Sequence, residues 1–291
     1  MKISTEFRSI SRLVGEENAI RLLAEAGFEA WDLSLFEMAP YNYTDGRIVS
    51  GTHPLQGDEW RTYAKRLRRV SDECGIVCNQ SHAPFPTYCP EMHGYLLRSI
   101  ECTAIMGGKI CVIHPDNHHG SEENAILYAK LLPFAKECGV RIATENTFRV
   151  DRASDRIIPS STSDHTGLSE LLNLVDDPYL VACLDIGHAE IETLPTTACD
   201  MIRTLGADRL ACLHVHDNDK RHDSHMLPFT MQIEWEPIEK ALAEIGYRGD
   251  VTLECGNYAK TFTADAATEC AARMAAAAAR LRDEILAKQS R

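Results

Sequence analysis

The chain has 291 residues, of which 44% are hydrophobic and 25% charged, so it can bury a large core and is neither disordered nor fibrous. Asp and Glu (43) outnumber Lys and Arg (30), and the net charge of −13 argues against nucleic acid or an anionic membrane as a partner. Eleven single cysteines, no signal-peptide pattern and no apolar stretch of roughly 18 residues predict a cytoplasmic protein with reduced, buried thiols and no membrane segment.

Short apolar segments alternate eight times with amphipathic segments of helical period. Most of the short segments are uninterrupted apolar runs, as expected of parallel strands that are covered on both faces. In chain order, the predicted strands are 2–6, 30–35, 77–81, 110–114, 141–145, 181–185, 211–216 and 251–254. The predicted helices are 17–26, 59–74, 92–106, 123–138, 168–175, 196–205, 237–245 and 264–287.

Eight strand–helix units without a linker-like segment predict an α/β fold, a single (β/α)8 TIM barrel formed by residues 1–291. A doubly wound open sheet is the alternative, but no glycine-rich nucleotide-binding loop follows any predicted strand. The longest connections, 36–58 and 147–166, both follow strands. They are therefore expected on the C-terminal face of the barrel, where active sites form, as lids or binding loops.

Six predicted strands end in a histidine or a carboxylate, one for each of the last six units. These residues are His82, His114, Glu145, Asp185, His214 and Glu254. Taken singly, each is typical of a hydrogen-bonded structural residue, but together they would converge on one mouth of the barrel. Buried carboxylates and imidazoles are costly unless a cation neutralises them. His, Asp and Glu without thiolates suit zinc, manganese, cobalt or magnesium, so the sequence predicts a divalent metal site.

The type and order of these residues resemble the superfamily of xylose-isomerase-like barrels. That superfamily contains sugar and sugar-phosphate isomerases and epimerases together with the type IV apurinic endonucleases. The resemblance spans about residues 81–254 and implies a metal held by Glu145, Asp185, His214 and Glu254. His214 is preferred to His216 because the spacing His214-x-x-Asp217 matches the family, and His216 stays an additional candidate.

The endonuclease branch of the superfamily binds three zinc ions through nine ligands, and each ligand has a counterpart in this chain. The counterparts beyond the four above are His82, His114, His188, Asp223 and His225. The resemblance therefore implies zinc or manganese, in one to three ions. Because sugar-isomerase-like members often carry the same positions, the ligand set leaves the branch open.

The activity that the resemblance implies is metal-dependent isomerisation or epimerisation of a small sugar, sugar phosphate or sugar acid. Such a reaction moves a proton next to a carbonyl group through an enediolate, which a divalent ion stabilises. Glu145 and Glu254 would act as acid and base, and His188 and Arg221 would bind the substrate. Barrels of this superfamily often pair, so a homodimer is a further expectation.

Three alternatives stay open: a zinc phosphodiesterase of the endonuclease type, a dehydratase or other lyase on the same scaffold, and a binding barrel without turnover. Binding a nucleic acid backbone requires several Lys or Arg side chains. The loop 36–58 contains only Arg47, and the loops 83–90 and 116–123 contain no Lys or Arg. Nucleic acid is therefore an unlikely partner. Intact Glu145 and Glu254 argue against loss of turnover.

Two further segments bear on the substrate. In the loop 147–166, three arginines alternate with acidic residues: Arg149, Arg152 and Arg156 among Asp151, Asp155 and Asp164. This pattern predicts that the arginines pair with the acidic residues of the loop. The alternative partner is a phosphate or carboxylate of the substrate. Ketose 3-epimerases tend to have an Asn-Arg-Arg stretch and a glycine-rich turn after the seventh strand. Here residues 218–221 read Asn-Asp-Lys-Arg and residues 227–230 Leu-Pro-Phe-Thr, which argues against a specific 3-epimerase assignment.

Overall fold

Eight short parallel strands surround the centre of the protein, whose computed structural model describes residues 1–151 and 153–290. All eight predicted strands are present, with ends that differ from the prediction by at most two residues. The strands are β1 (Ile3–Thr5), β2 (Ala30–Ser34), β3 (Val77–His82), β4 (Ile110–Val112), β5 (Arg141–Glu145), β6 (Leu180–Asp185), β7 (Leu210–His214) and β8 (Val251–Leu253).

The strands form a closed ring. Strands β2 to β7 pair in chain order, and β1 pairs in parallel with β8, with Ile3 opposite Val251. Single parallel bridges close the two remaining junctions, between Glu6 and Asp32 and between Val215 and Leu253. The predicted fold class, a (β/α)8 barrel, is therefore confirmed.

One long helix packs outside each strand. These barrel helices are α1 (Glu16–Glu25), α2 (Trp60–Cys74), α3 (Met92–Met106), α4 (Ser121–Cys138), α5 (His165–Val175), α6 (Ala198–Arg209), α7 (Trp235–Glu244) and α8 (Ala267–Gln289). Gly75 and Gly139 end α2 and α4 with φ of 69° and 64°, a left-handed conformation that glycine accepts without steric cost. In α6 the helical conformation breaks at Gly206, next to the predicted end of that helix at residue 205.

Several short elements in the strand–helix connections were not predicted. The long connections contain antiparallel hairpins, Tyr41–Asn42 with Arg47–Ile48 and Phe148–Asp151 with Arg156–Pro159. Short helices also follow β1, β6 and β8, at Arg8–Val14, Ile186–Ala189 and Gly256–Ala259. Arg152, which belongs to the arginine-rich loop, lies outside the described residues.

The apolar residues form an outer and an inner cluster. The outer cluster lies between the strands and the helices and includes Cys111, Ile142 and Leu184. The inner cluster takes the alternate positions of β4 to β7, and side chains alternate across a strand, so it faces the barrel interior; its members are Ile110, Val112, Ala143, Val181, Cys183 and Cys212. All eleven cysteines are free thiols; seven are buried as predicted, whereas Cys74, Cys89, Cys138 and Cys199 are only partly buried. No helix in the described part of the chain combines the length and apolarity required to span a membrane.

Candidate metal centre

The inward faces of β5, β6 and β7 change from apolar to ionisable at the mouth of the barrel. Glu145, Asp185 and His214 each follow an inward-facing apolar residue by two positions, at 143, 183 and 212. Because alternate side chains share a face, strand geometry alone directs all three into the barrel. All three are buried.

The carboxylate of Glu145 lies among three imidazoles. Its Oε2 atom is 3.4 Å from His82 Nε2, 3.2 Å from His114 Nε2 and 3.2 Å from His214 Nδ1. Glu254, which follows β8, places its Oε2 atom 3.5 Å from the same His214 Nδ1. Two carboxylates thus converge on one imidazole nitrogen.

A second group lies beside the first and is centred on Asp223. Its Oδ1 atom is 3.6 Å from His188 Nε2 and 3.4 Å from His216 Nε2, and its Oδ2 atom is 3.0 Å from His225 Nε2. The His216 Nε2 atom is also 3.1 Å from Asp185 Oδ1, which connects the two groups. The His216 ring packs against residue 187, where a Cβ atom would lie 2.0 Å from it, so that position requires glycine.

Three sets of donor atoms in the described residues each lie within 4.8 Å of one another, a spacing that would hold a metal ion. The sets are Glu145, Asp185, His214 and Glu254; His82, Glu145 and His214; and His188, His216, Asp223 and His225. They contain the four predicted ligands of the single metal and, with His114 beside Glu145, all of the predicted additional ligands.

Buried polar atoms without hydrogen bonds support metal binding at these sets. Five such atoms belong to them, and none has a hydrogen-bond partner among the described residues; they are Glu145 Oε2, Asp185 Oδ2, His214 Nδ1, His216 Nε2 and Asp223 Oδ1. A buried polar atom in this state costs about 1–3 kcal/mol. Carboxylate oxygens and imidazole nitrogens are ligands for zinc or manganese, so the donor set fits a divalent ion.

Four of the imidazoles are oriented through their second ring nitrogen. In each case the partner is an oxygen that can only accept, so that nitrogen carries the proton and the other is left for a metal. The pairs are His82 Nδ1 with Ala83 O (3.0 Å), His188 Nδ1 with Asn146 O (2.9 Å), His214 Nε2 with Asp32 Oδ2 (3.2 Å) and His225 Nδ1 with Glu254 O (2.8 Å).

Asp32 was missed by the sequence analysis. It lies in the middle of β2, is buried, and accepts a second hydrogen bond from Gln80 Nε2 at 3.0 Å. Its signal in the sequence is a single acidic residue inside an apolar strand. Through His214 Nε2 it fixes the tautomer that leaves Nδ1 free to bind a metal.

The substitution Asp32→Asn is therefore expected to weaken metal binding about 10- to 100-fold, because a neutral amide oxygen lacks the negative charge that holds the proton on His214 Nε2. Competition with a chromophoric chelator measures the affinity. Asp116→Asn is the matched control, since Asp116 is also buried at the mouth but belongs to none of the three donor sets. Unchanged affinity in Asp32→Asn would show that Asp32 does not orient the ligand.

Burial and charge act in opposite directions on the pKa values of these groups. Burial alone would lower the pKa of His214, but Glu145 and Glu254 outweigh it and hold that pKa well above its usual value. In the same way, Asp223 outweighs burial and raises the pKa of His225 to about 10. Burial would raise the pKa of Glu145, but His214 and His114 hold it well below its usual value. These directions leave Glu145 ionised and favour the protonated forms of His214 and His225, whereas burial lowers the pKa of His114.

Metal binding at pH 7 is consequently expected to release protons, because a ligating imidazole must be neutral. The raised histidine pKa values also predict that metal affinity increases as the pH rises towards about 10, the pKa of His225. Calorimetric titration in buffers of different ionisation enthalpy counts the protons, with the same metal bound to a chelator as the reference. A heat of binding that is independent of the buffer would contradict this expectation.

A cleft of about 480 Å³ opens above the donor sets. Both long connections contribute to it, the first through Phe36 and Tyr43 and the second through Thr147 and Phe148, so their predicted position on the C-terminal face is confirmed. Among the described residues, its aromatic lining comprises Phe36, Tyr43, Phe85, Tyr88 and Phe148, and its cationic lining Arg8, Arg12 and Lys260.

The structure does not bring every predicted residue to this cleft. Arg221, predicted to bind substrate, is exposed and is not among the residues that line it; Asp219 Oδ1 accepts from the backbone N–H groups of Arg221 and His222 in a tight turn. Glu6, conversely, lines the cleft and was missed by the sequence analysis. Burial and the nearby Glu254 raise the pKa of Glu6 to about 7.

Comparison with known proteins agrees with this architecture. The sequence profile of the xylose isomerase-like TIM barrel family matches residues 20–282. An uncharacterized protein of Methanocaldococcus jannaschii is 26% identical over 260 residues, which cover 82% of this chain and 79% of the relative.

Solved structures give the same fold over the full length. A D-tagatose 3-epimerase-like protein superimposes with a TM-score of 0.71 at 20% identity, covering 100% of this chain and 98% of the other. An L-ribulose 3-epimerase superimposes with a TM-score of 0.73 at 16% identity, covering 99% and 97%. This chain belongs to the xylose isomerase-like TIM barrel family.

Proposed function

We propose that this protein is a divalent-metal-dependent isomerase or epimerase of small sugars or sugar derivatives. The observation that carries the proposal is the convergence of Glu145 and Glu254 on His214 Nδ1, at 3.2 and 3.5 Å, at the floor of an aromatic-walled cleft. The names of the structural relatives, which are sugar epimerases, support the same class of reaction.

Glu145, Asp185, His214 and Glu254 would hold the first metal ion. When bound, the ion would supply positive charge beside the carbonyl oxygen and the neighbouring hydroxyl oxygen of a sugar. That charge would lower the free energy needed to remove a proton from the carbon that carries the hydroxyl group. His82 and His114, which both contact Glu145, and the set of His188, His216, Asp223 and His225 would hold up to two further ions, with zinc or manganese as the metals. One to three ions per chain are therefore expected.

The chain's own carboxylates would move the proton. Because the pKa of Glu145 is held low, it stays ionised at neutral pH and would act as a base towards a substrate carbon. Glu254, whose Oε2 atom approaches the same His214 Nδ1 atom and whose side chain is 17% exposed, would return a proton at the other carbon or face. His188, which is fixed by Asn146 and lines the cleft, would bind a further ion or a substrate oxygen through Nε2.

Turnover in deuterium oxide tests the proposal. Metal-loaded protein is incubated with a panel of ketoses, ketose phosphates and keto sugar acids, and nuclear magnetic resonance follows product formation and exchange at the carbons beside the carbonyl. Metal-dependent exchange with isomerised or epimerised product supports the proposal. Loss of water in the products would indicate the dehydratase alternative and overturn it.

One specific observation supports the phosphodiesterase alternative. The number of donor sets, three, equals the number of zinc ions in the endonuclease branch. A duplex with an abasic site, incubated with the zinc-loaded protein, tests it directly. Cleavage of the duplex together with inertness towards the sugar panel would replace the isomerase proposal. The homodimer and the cytoplasmic location stay predictions.

A further inference from the structure

One side of the cleft carries three cations that the loop sequences did not predict. Arg8 and Arg12 belong to the helix Arg8–Val14 after β1, and Lys260 follows the helix Gly256–Ala259 after β8. These two short helices pack against each other because β1 and β8 are neighbours in the barrel. The three side chains, hereafter the cationic wall, are the only Arg and Lys among the described residues that line the cleft.

Only one of the three side chains of the cationic wall forms an ion pair with an acidic residue in the described part of the chain. Arg8 is held by Glu37, with 2.8 Å between Nη2 and Oε1. Neither Arg12 nor Lys260 forms an ion pair with any described residue, unlike Lys288, which contacts two carboxylates. At least two positive charges therefore face the cleft without a counterion from the described chain.

Lys260 is held in place by neutral groups. Its ammonium donates to Asn257 Oδ1 at 2.8 Å, and Asn257 Nδ2 in turn donates to the backbone oxygen of Ser224 at 3.0 Å. Such an amide partner restrains the lysine without cancelling its charge. The restraint reduces the entropy that an incoming anion would otherwise have to remove.

We infer that the cationic wall binds an anionic group of the substrate, a phosphate or a carboxylate. The inference rests on the proposed function and deepens it by naming the substrate class. A neutral sugar needs no cation at the rim, whereas an anion approaching a protein of net charge −13 needs local positive charge to bind. Arginine and lysine donors suit both anions.

Binding of sugars that differ only in charge tests the inference. The probes are D-fructose, D-fructose 6-phosphate and D-fructuronate, and as a second set D-ribulose and D-ribulose 5-phosphate, titrated calorimetrically into metal-loaded protein. In each set, at least one anionic probe is expected to bind about tenfold more tightly than the neutral sugar. Whichever of the two fructose anions binds more tightly distinguishes phosphate from carboxylate.

The double variant Arg12→Gln/Lys260→Gln is expected to remove this preference and to leave the affinity for the neutral sugars unchanged. Lys130→Gln/Arg248→Gln is the matched control, since both residues are exposed, lie outside the cleft and change the net charge equally. Equal affinity for neutral and anionic probes, or a preference that persists in the double variant, would overturn the inference.

Failure of the inference and failure of the proposed function give different results. Charge preference without turnover of any sugar would support the inference about the cationic wall and overturn the isomerase proposal. Turnover of neutral ketoses without charge preference would support the isomerase proposal and overturn the inference about the cationic wall. Binding of an abasic duplex that depends on Arg12 and Lys260, with no binding of either probe set, would overturn the inference in favour of a nucleic acid backbone.

Discussion

Replacing Glu145 by glutamine is expected to lower turnover of the metal-loaded protein by about 10³-fold or more. Glu145 belongs to two of the three donor sets, and one of its oxygens contacts three imidazoles. The amide keeps the shape of the side chain but removes the negative charge and the basicity that the proposed roles as metal ligand and proton acceptor require. Steady-state kinetics and the metal content after dialysis measure the two effects.

Glu239→Gln is the control for this variant. Glu239 is also a buried glutamate, but it lies on α7 and pairs with Lys288 at 2.8 Å, away from the cleft. That variant is expected to lose some stability and to keep full turnover. An active Glu145→Gln enzyme that retains its metal would exclude Glu145 from both roles and with it the proposed proton transfer.

Replacing Asp217 by asparagine is expected to lower the free energy of unfolding by about 3–5 kcal/mol. The buried Asp217 carboxylate accepts hydrogen bonds from five N–H groups that fold the segment after β7 back on itself; the donors are the backbone of Asn218, Thr230, Met231 and Ile233 and the indole of Trp235. An amide offers one acceptor oxygen, so its NH₂ group would face donors with which it cannot bond. Urea denaturation measures the loss.

The same variant is expected to lose metal from one donor set. The segment that Asp217 closes carries Asp223 and His225, which lie together only while its two ends are held. Asp219→Asn, in the same segment but partly exposed, is the control and is expected to cost less than about 1 kcal/mol. If both variants unfold at the same urea concentration as the native chain, Asp217 does not hold the segment.

The barrel and most of the centre were predictable because strand periodicity carries the information locally. An apolar run that ends in Glu145, Asp185 or His214 identifies both the strand and the mouth at which it ends. Parallel pairing then requires these ends to meet. The structure places the resulting donor sets where the order of the residues predicted them.

The remaining features depend on contacts between distant parts of the chain. The helix Arg8–Val14 has only seven residues, one of them buried, and no side-chain cap, so its sequence lacks the usual start signal and apolar stripe. The cationic wall forms only because β1 pairs with β8. The substrate role of Arg221 came from the family resemblance and stays a prediction, since the side chain is exposed and is not among the residues that line the cleft.

Closure of the barrel between β1 and β8 also determines when the first donor set can be complete during synthesis. Translation adds Glu145, Asp185 and His214 one strand at a time, whereas Glu254 follows the strand that pairs with β1. A nascent chain that has emerged only as far as β7 therefore lacks one carboxylate of the first donor set. In that chain, the edge of β1 that pairs with β8 is also still open. Pairing of β8 with β1 therefore both closes the ring and places Glu254 beside the other three residues of that set.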